Sequence, residues 1–299
     1  MKILVTGSGG LIGSALLDAL KSDETTRLVR SRTKEGFPPS IFWDPKTGEI
    51  EQEKLEGFDG VVHLAGEGIA QGRWTLSKKA RIRESRLRGT RFLCETLVHL
   101  SRPPKVLVCA SAIGYYGNRG EESLRETSRP GAGFLAQLCQ EWESAAQSAS
   151  QKGIRVVNLR IGIVLSPRGG ALSLMLPVFK LGLGGALGNG RQMMSWIAID
   201  DLAGAIRHAL TTDSLRGPVN AVSPNPVTNA QFTKAMGRVL RRPVFFPVPS
   251  FAVKLLFGEM GEELLLSSTR VEPINLLASG FTFRYPELDG ALRFLLGRA

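Results

Sequence analysis

A glycine-rich turn at residues 7–13, GSGGLIG, is the feature that most constrains the fold of this chain. It follows a short apolar run, Lys2 to Thr6, that predicts a buried parallel strand, and it precedes apolar residues at helical spacing from Leu11 to Leu20. Glycine lets such a chain turn tightly, lets its backbone approach a pyrophosphate and lets the helix pack closely on the strand. The N–H groups at the start of the helix then face the phosphates. We therefore predict a dinucleotide-binding turn that comprises Thr6, Gly7, Gly10, Leu11, Ile12 and Gly13.

Strands alternate with helices as far as about residue 165, a pattern that predicts βαβ units and a parallel sheet. Beyond that point glycines interrupt an apolar segment. The alternation of helix and strand returns at about residues 197–225. We expect an α/β protein with a Rossmann doubly wound parallel sheet and a smaller, discontinuous C-terminal substrate lobe. The predicted Rossmann domain spans residues 1–165 and is completed by about 197–225, and the lobe comprises residues 166–196 and 226–299.

The end of the second predicted strand indicates which nucleotide binds. NAD sites usually carry an Asp or Glu there that accepts hydrogen bonds from the ribose hydroxyls. Here the strand is followed by Arg30, Ser31 and Arg32, without a carboxylate. A guanidinium can form bidentate, charge-assisted bonds to a 2′-phosphate. The sequence therefore predicts NADP(H) as the cofactor, with solvated loop charges as the alternative interpretation of these arginines.

The formal net charge is +11, and eight basic residues against one acid lie between Arg73 and Arg91. This basic run is open to three interpretations: a solvated helix face, a site for a phosphate or carboxylate, or a nucleic-acid surface. Interleaved aromatic residues, which a nucleic-acid surface would require, are almost lacking, so we do not expect a nucleic-acid partner.

Three cysteines without metal-ligand spacing and three histidines predict neither a disulfide framework nor a bound metal. The N-terminus lacks the apolar core of a signal peptide. The longest apolar stretch, residues 171–187, is broken by proline, lysine and glycine and so does not predict a membrane span. We expect a cytoplasmic protein without a membrane partner, and the sequence leaves a homodimer open.

The spacing Gly7-x-x-Gly10-x-x-Gly13 resembles the extended (atypical) branch of the short-chain dehydrogenase/reductase superfamily. Within that branch the chain resembles the NADP-binding "epimerase family" proteins, which carry a C-terminal domain of unknown function, over nearly its whole length. The motifs that carry this resemblance are Gly66-Glu67, Trp74, Ser85-Arg86, residues 111–117, Trp142-Glu143, residues 182–196 and Pro286-Glu287-Leu288.

The resemblance implies further site residues. The segment after the strand at residues 60–64 lines the cofactor in this superfamily, and three positions farther along the chain, besides a serine, also line it. A serine at the end of a later strand holds a substrate oxygen, and a late glycine-rich segment meets the substrate. The implied cofactor residues are His63, Leu64, Ala65, Gly66, Arg81, Arg86, Ser111 and Val164, and the implied substrate residues are Gln192 and Trp196.

Reductases of this superfamily generally use a tyrosine as acid or base, with a lysine four residues later that lowers the phenol pKa. The corresponding helix, residues 134–143, contains neither residue. Ser111, Tyr115, Tyr116 and Glu67 are the candidate substitutes, although the tyrosines could be structural and Glu67 a solvated loop carboxylate. Cys139, near the lost lysine position, is interpreted as a buried structural cysteine. Two functions remain open: an NADP(H)-dependent oxidoreductase or epimerase-like enzyme that acts on a small molecule, or a non-catalytic NADP(H)-binding sensor or assembly factor.

Overall fold

A computed structural model describes residues 1–31, 39–70 and 72–298. The strands are β1 Lys2–Thr6, β2 Glu24–Val29, β3 Ser40–Asp44, β4 Glu49–Ile50, β5 Gly60–His63, β6 Val106–Ala112, β7 Ser123–Leu124, β8 Arg155–Ile161, β9 Ile163–Leu165, β10 Met193–Met194, β11 Trp196–Ala198, β12 Gly217–Ala221, β13 Val227–Thr228 and β14 Arg270–Val271.

The helices alternate with the longer strands in the first part of the chain and dominate the last part. They are α1 Leu11–Ala19, α2 Leu76–Val98, α3 Phe134–Gln147, α4 Gly170–Lys180, α5 Ile199–Thr211, α6 Asn229–Leu240, α7 Ser250–Phe257, α8 Glu259–Leu264, α9 Ile274–Ala278 and α10 Leu288–Leu295.

Within the described residues, eight strands form one sheet in the order β12-β8-β6-β5-β1-β2-β3-β4. Its neighbouring strands are parallel except for β4, which pairs antiparallel with β3. The chain moves in one direction from β1 through β2 to β3, and in the other direction from β1 through β5 to β12. The strand order therefore reverses at β1, and the crevice outside the carboxyl ends of β1 and β5 is where such sheets bind ligands.

Side chains of each strand alternate between two apolar layers, as expected for a sheet covered on both faces. On one face Ile3 and Val5 pack with α1 and α5, and on the other Leu4 packs with the buried residues of α2. This arrangement confirms the predicted doubly wound sheet. The predicted strand from Lys2 to Thr6, the helix that begins at Leu11 and the strand that begins at residue 60 are also found, each with a buried apolar side.

Apolar periodicity in the sequence predicts a helix from Ser85 to His99, but helix α2 begins nine residues earlier, at Leu76. The Thr75 side chain caps its N-terminus by accepting a hydrogen bond from Lys78 N at 3.2 Å. Most of the basic run lies on this helix, and its cations are largely paired inside the chain. The ion pairs join Lys78 and Arg81 to Glu67, Lys79 to Glu259, Arg83 to Glu141 and Arg88 to Glu84.

A third apolar cluster, which includes Trp196 and Phe232, lies where α4, α6 and α10 pack around β9 and β11. The C-terminal region is also bonded to the sheet domain. Strand β14 pairs with β7, and Glu263 of α8 accepts hydrogen bonds from the N–H groups of Phe134 and Leu135 at the start of α3. These bonds hold the C-terminal region against the helix that would carry the superfamily's catalytic pair.

Candidate functional site

The glycine turn adopts the tight geometry that its sequence predicts. Gly7 has a φ of +67°, and its carbonyl accepts a hydrogen bond from Gly10 N at 3.0 Å. A Cβ atom on Gly7 would lie 2.7 Å from the carbonyl of Leu64, and one on Gly13 would lie 2.3 Å from the carbonyl oxygen of Gly7. Only glycine fits these two positions, because any side chain would displace the backbone at the end of β5 or within the turn itself.

The end of β1 is linked to the end of β5 by Thr6. Its Oγ1 accepts hydrogen bonds from Leu64 N at 3.1 Å and Ala65 N at 3.2 Å, and it lies 2.8 Å from Nδ1 of His63. Since the oxygen already accepts two bonds, the hydroxyl proton is donated to Nδ1. His63 Nε2 therefore carries the ring proton and donates it to Thr90 Oγ1 at 3.1 Å.

His63 is fully buried, and burial lowers its pKa to about 4, so the ring is neutral. It was predicted among the cofactor-lining residues, and the structure places it behind that segment. Its neighbours Leu64 and Ala65 are partly exposed at the crevice, and Gly66 is exposed. The ring thus orients Thr6, which in turn fixes the backbone of this segment.

A cavity of about 400 Å³ opens at the N-terminus of α1. The glycine turn and Leu11 form one wall, and Ser166, Arg168 and Gly169 form another. The walls fit a pyrophosphate, because the turn has no side chains to obstruct it, the helix dipole is positive there and a guanidinium faces it. Sequence reasoning missed Arg168, although its place just after β9, at the carboxyl edge of the strands, could have indicated it.

Arg30 and Ser31 directly follow β2 and are exposed. Strands β1 and β2 run in parallel register, with Thr6 opposite Leu28, so both residues lie at the same edge of the sheet as the glycine turn. Arg32, the third residue predicted to bind the 2′-phosphate, lies outside the described residues.

Arg86 approaches the crevice from α2. Its Nη1 donates to the carbonyl oxygens of Glu67 and Ile82 at 3.0 and 3.2 Å, and its guanidinium lies over the Trp142 ring. A Cβ on Gly66 would lie 3.3 Å from the guanidinium carbon, so the cation packs directly against the cofactor-lining segment. Val164, predicted on the opposite side, is half-buried in β9 beside Ile197.

Glu67, a candidate acid or base, forms ion pairs with Lys78 at 2.8 Å and Arg81 at 3.3 Å. The hydrogen bond from Lys78 holds the pKa of the Glu67 carboxyl below its usual value. This carboxylate is therefore ionised near neutral pH and is a poor proton donor. Arg81, which is predicted near the cofactor, forms its ion pair with this same carboxylate.

Ser111, at the end of β6, takes part in a buried charged network. Its Oγ donates to Glu143 at 2.7 Å, and the same carboxylate accepts two bonds from Arg160, at 2.8 and 2.9 Å. The Arg160 side chain is only 3% exposed. Sequence reasoning missed this pair as a functional element, although a glutamate on α3 and an arginine in a buried strand are unusual in apolar surroundings.

The two candidate tyrosines contact the same arginine. The Arg160 guanidinium lies 3.4 Å from the centre of the Tyr115 ring and donates to the hydroxyl of Tyr116 at 2.9 Å. Tyr116 is fully buried, its hydroxyl lies 2.7 Å from Oδ1 of Asn220, and burial raises its pKa to about 12. Of the two, Tyr115 is the one with exposed surface.

Helix α3 carries Cys139 near the position of the lost lysine. The thiol is buried, and burial raises its pKa to about 12. The predicted burial of Cys139 is confirmed, and because a nucleophilic cysteine needs a depressed pKa, this thiol is not activated.

Gln192 and Trp196, predicted to meet the substrate, are both buried. The Gln192 amide donates to the carbonyls of Leu187 and Leu265, each at 3.1 Å, and the Trp196 ring nitrogen donates to Asn225 at 3.0 Å. In this structure both side chains therefore donate their hydrogen bonds to backbone carbonyls of the protein. The described residues contain no cluster of His, Cys, Asp and Glu suited to a metal, and none of their helices has the length and apolar character needed to cross a membrane.

Comparison with known proteins places these features in a family. Residues 3–221 match the model of the NAD dependent epimerase/dehydratase family. The chain belongs to this family. Residues 248–295 match a second model, a domain of unknown function (DUF1731), so the resemblance stated from the sequence is confirmed.

The relatives cover the whole chain. An epimerase family protein of Mycobacterium bovis is 43% identical over 99% of this chain and 98% of its own length. The crystal structure of human epimerase family protein SDR39U1 with NADPH is 36% identical, covers 100% of both chains and has a TM-score of 0.91. A nucleoside-diphosphate sugar epimerase from Corynebacterium glutamicum is 38% identical over 99% of this chain and 58% of that chain, with a TM-score of 0.82.

Proposed function

We propose that this protein is an NADP(H)-dependent oxidoreductase or epimerase-like enzyme that acts on a small molecule. The observation that carries the proposal is the pairing of the glycine turn with Arg30 and Ser31 at the same sheet edge. That edge offers the guanidinium of Arg30 and the hydroxyl of Ser31 where NAD sites offer a carboxylate. The human relative crystallised with NADPH supports the same cofactor.

In this proposal each part of the crevice binds a different part of the cofactor. The turn and Arg168 bind the pyrophosphate, and Arg30 with Ser31 binds the 2′-phosphate. Leu64, Ala65 and Val164 line the rest of the cofactor. Arg86 adds positive charge beside Gly66. The bound cofactor would supply or accept a hydride at the nicotinamide.

Ser111 is the residue that we propose to hold the reacting oxygen of the substrate. Ser111 is almost fully buried and its proton is already donated to Glu143, so a substrate hydroxyl that reaches it would donate to a lone pair of its oxygen. Glu143 is then positioned to receive a proton through Ser111. This route would replace the tyrosine that α3 lacks, and Tyr115 is the second candidate proton donor.

The alternative is a non-catalytic NADP(H)-binding sensor or assembly factor. It is favoured by α3, which has neither tyrosine nor lysine, and by the burial of Tyr116 and the ion-pairing of Glu67. Both functions share the cofactor and differ only in turnover.

Two measurements test the proposal. Fluorescence titration of the purified protein with NADPH and NADH should give tighter binding of NADPH, and tighter binding of NADH would contradict the cofactor assignment. Turnover is then followed in both directions, as oxidation of NADPH with a panel of carbonyl compounds and as reduction of NADP+ with the corresponding alcohols. Reproducible turnover that Ser111→Ala abolishes supports an enzyme, whereas NADPH binding without any turnover across the panel supports the sensor.

A further inference from the structure

The C-terminal lobe carries large apolar side chains on its outside. Six of them are between 53% and 80% exposed, and we call them the C-lobe apolar surface: Leu181, Leu183, Phe245, Phe246, Phe251 and Leu255. Folded proteins rarely leave contiguous apolar groups of this size in water unless they bind something.

These side chains belong to one region because two chain segments run side by side. Residues Leu187 and Val248 form a parallel β-bridge, with Gly188 N donating to Val248 O at 2.8 Å and Val248 N donating to Ala186 O at 2.9 Å. At the other end of this contact, a Cβ on Gly182 would lie 3.2 Å from the Pro243 ring. The segment that carries Phe245 and Phe246 therefore lies against the segment that carries Leu181 and Leu183.

Helix α7 follows this contact immediately. In contrast to an ordinary surface helix, it exposes large apolar side chains to solvent. Val253 is its buried residue, whereas Phe251 and Leu255, one turn apart, are 70% and 71% exposed. Lys254 lies beside this pair on the helix, is about half exposed and pairs with Glu262 of α8. A helix that turns aromatic and aliphatic groups outward beside a lysine is typical of helices that lie in a membrane interface.

The charge of the two segments is uniformly positive. Residues 161–199 and 214–258 contain no aspartate or glutamate. Lys180 directly precedes Leu181, and Arg241 and Arg242 directly precede Pro243, so these three exposed cations flank the Gly182–Pro243 contact. Among the residues that the structure describes, none of the three forms an ion pair with a carboxylate.

We propose that the C-lobe apolar surface docks on the surface of an anionic lipid bilayer. The apolar side chains enter the interface between headgroups and acyl chains, and the three cations bind the headgroup phosphates. A second copy of this chain is a poorer occupant, because a twofold contact would bring identical acid-free segments of a chain with net charge +11 together. The sequence predicts no membrane partner, and the exposed surface leads us to replace that expectation with peripheral binding.

Vesicle sedimentation of the full chain tests the proposal. We expect binding to vesicles of equal parts phosphatidylcholine and phosphatidylglycerol, and little binding to phosphatidylcholine alone. The double variant Phe251→Glu, Leu255→Glu should weaken binding about tenfold or more. Replacing Arg241 and Arg242 by glutamine should weaken binding about fivefold for each cation.

The matched control is Leu277→Glu, which places a carboxylate on an exposed leucine of α9, outside both acid-free segments. It should sediment like the natural chain, and the thermal midpoint of each variant verifies its folding. Absence of sedimentation of the natural chain, or equal sedimentation of the double variant, overturns the proposal. A dimer detected by light scattering without lipid, and abolished by the double variant, would also overturn it in favour of a second copy.

Discussion

The hydroxyl of Ser111 donates its proton to the carboxylate of Glu143 across 2.7 Å. Because a hydroxyl carries one proton, Ser111 can offer only lone pairs to a ligand in this arrangement. A substrate hydroxyl satisfies that requirement, whereas a carbonyl oxygen would need the proton of Ser111 to be redirected. The geometry is therefore better suited to bind the alcohol form of a substrate than its carbonyl form.

We expect Ser111→Ala to lower kcat by about a hundredfold, the usual contribution of a positioned proton-transfer group, while leaving the Kd of NADPH unchanged. The measurement is steady-state kinetics with whichever compound the carbonyl panel identifies. Ser148→Ala is the matched control, because the Ser148 hydroxyl donates to the backbone carbonyl of Ala145 at the end of α3 and has no part in the proposed site. An unchanged kcat in Ser111→Ala would remove this residue from the mechanism.

Arg30→Glu should discriminate between the two nicotinamide cofactors. Loss of a charge-assisted hydrogen bond worth about 1.5–3 kcal/mol should weaken the binding of NADPH about tenfold to a hundredfold. The affinity for NADH, which has no 2′-phosphate, should change little. Fluorescence titration with both nucleotides gives the ratio. Arg293→Glu, at an exposed position of α10, provides the same charge change elsewhere. Equal losses for both cofactors would contradict the assignment of Arg30 to the 2′-phosphate.

Gly13→Ala should disrupt the turn, because the new Cβ would lie 2.3 Å from the Gly7 carbonyl oxygen. We expect a loss of about 2 kcal/mol in the free energy of unfolding, since backbone must move to relieve the clash. Gly9→Ala is the control for stability, as its Cβ would meet no atom within 4 Å. Thermal unfolding without nucleotide compares the two variants, and equal midpoints would show that the turn tolerates side chains.

Arg160→Met should destabilise the protein by about 3–5 kcal/mol, because it leaves the Glu143 carboxylate buried without its partner. Arg238→Met removes a comparable pair with Asp289 at the surface, where both side chains are about half exposed, and should have almost no effect. Urea unfolding measures both. Similar losses for the two variants would mean that burial does not determine the importance of the Arg160 pair.

His63 makes stability depend on pH. Its pKa is about 4 in the folded chain, below the ordinary 6.5, so the unfolded chain binds more protons between these values. Stability should therefore fall as the pH is lowered from about 6.5 toward 4, by about 3 kcal/mol from this residue. His63→Asn, which can still accept the Thr6 proton but does not titrate, should flatten that part of the profile. An unchanged slope in the urea-unfolding profile of the variant would assign the dependence to other groups.

Much of the fold could be predicted because it depends on local patterns. The run from Lys2 to Thr6, the turn and α1 follow from apolar periodicity and glycine chemistry alone. The start of α2 was placed too late, because the charged residues after Leu76 hide its helical periodicity. The short pairings of β14 with β7 and of β10 with β13 join residues far apart in sequence, and their two-residue strands carry no readable alternation.

The site divides in the same way. The glycine turn and the place of Arg30 at its sheet edge were predictable, because each directly follows a strand that an apolar run marks. The Ser111–Glu143–Arg160 network was not, because it depends on one glutamate of α3 facing an arginine of β8 across the sheet. For the same reason the sequence could not show that the Gln192 amide binds backbone carbonyls and that Glu67 forms an ion pair with Lys78.

Glu263 lies in the C-terminal region, yet it accepts the first N–H groups of α3, which belongs to the region matched by the epimerase family model. Asp201 of α5 accepts the N–H groups of Arg284 and Tyr285 in the opposite sense. The two regions therefore complete each other's backbone hydrogen bonding. A chimaera that grafts onto residues 1–221 a foreign C-terminal region without such a carboxylate would leave the start of α3 uncapped, at a cost of about 1 kcal/mol in the free energy of unfolding.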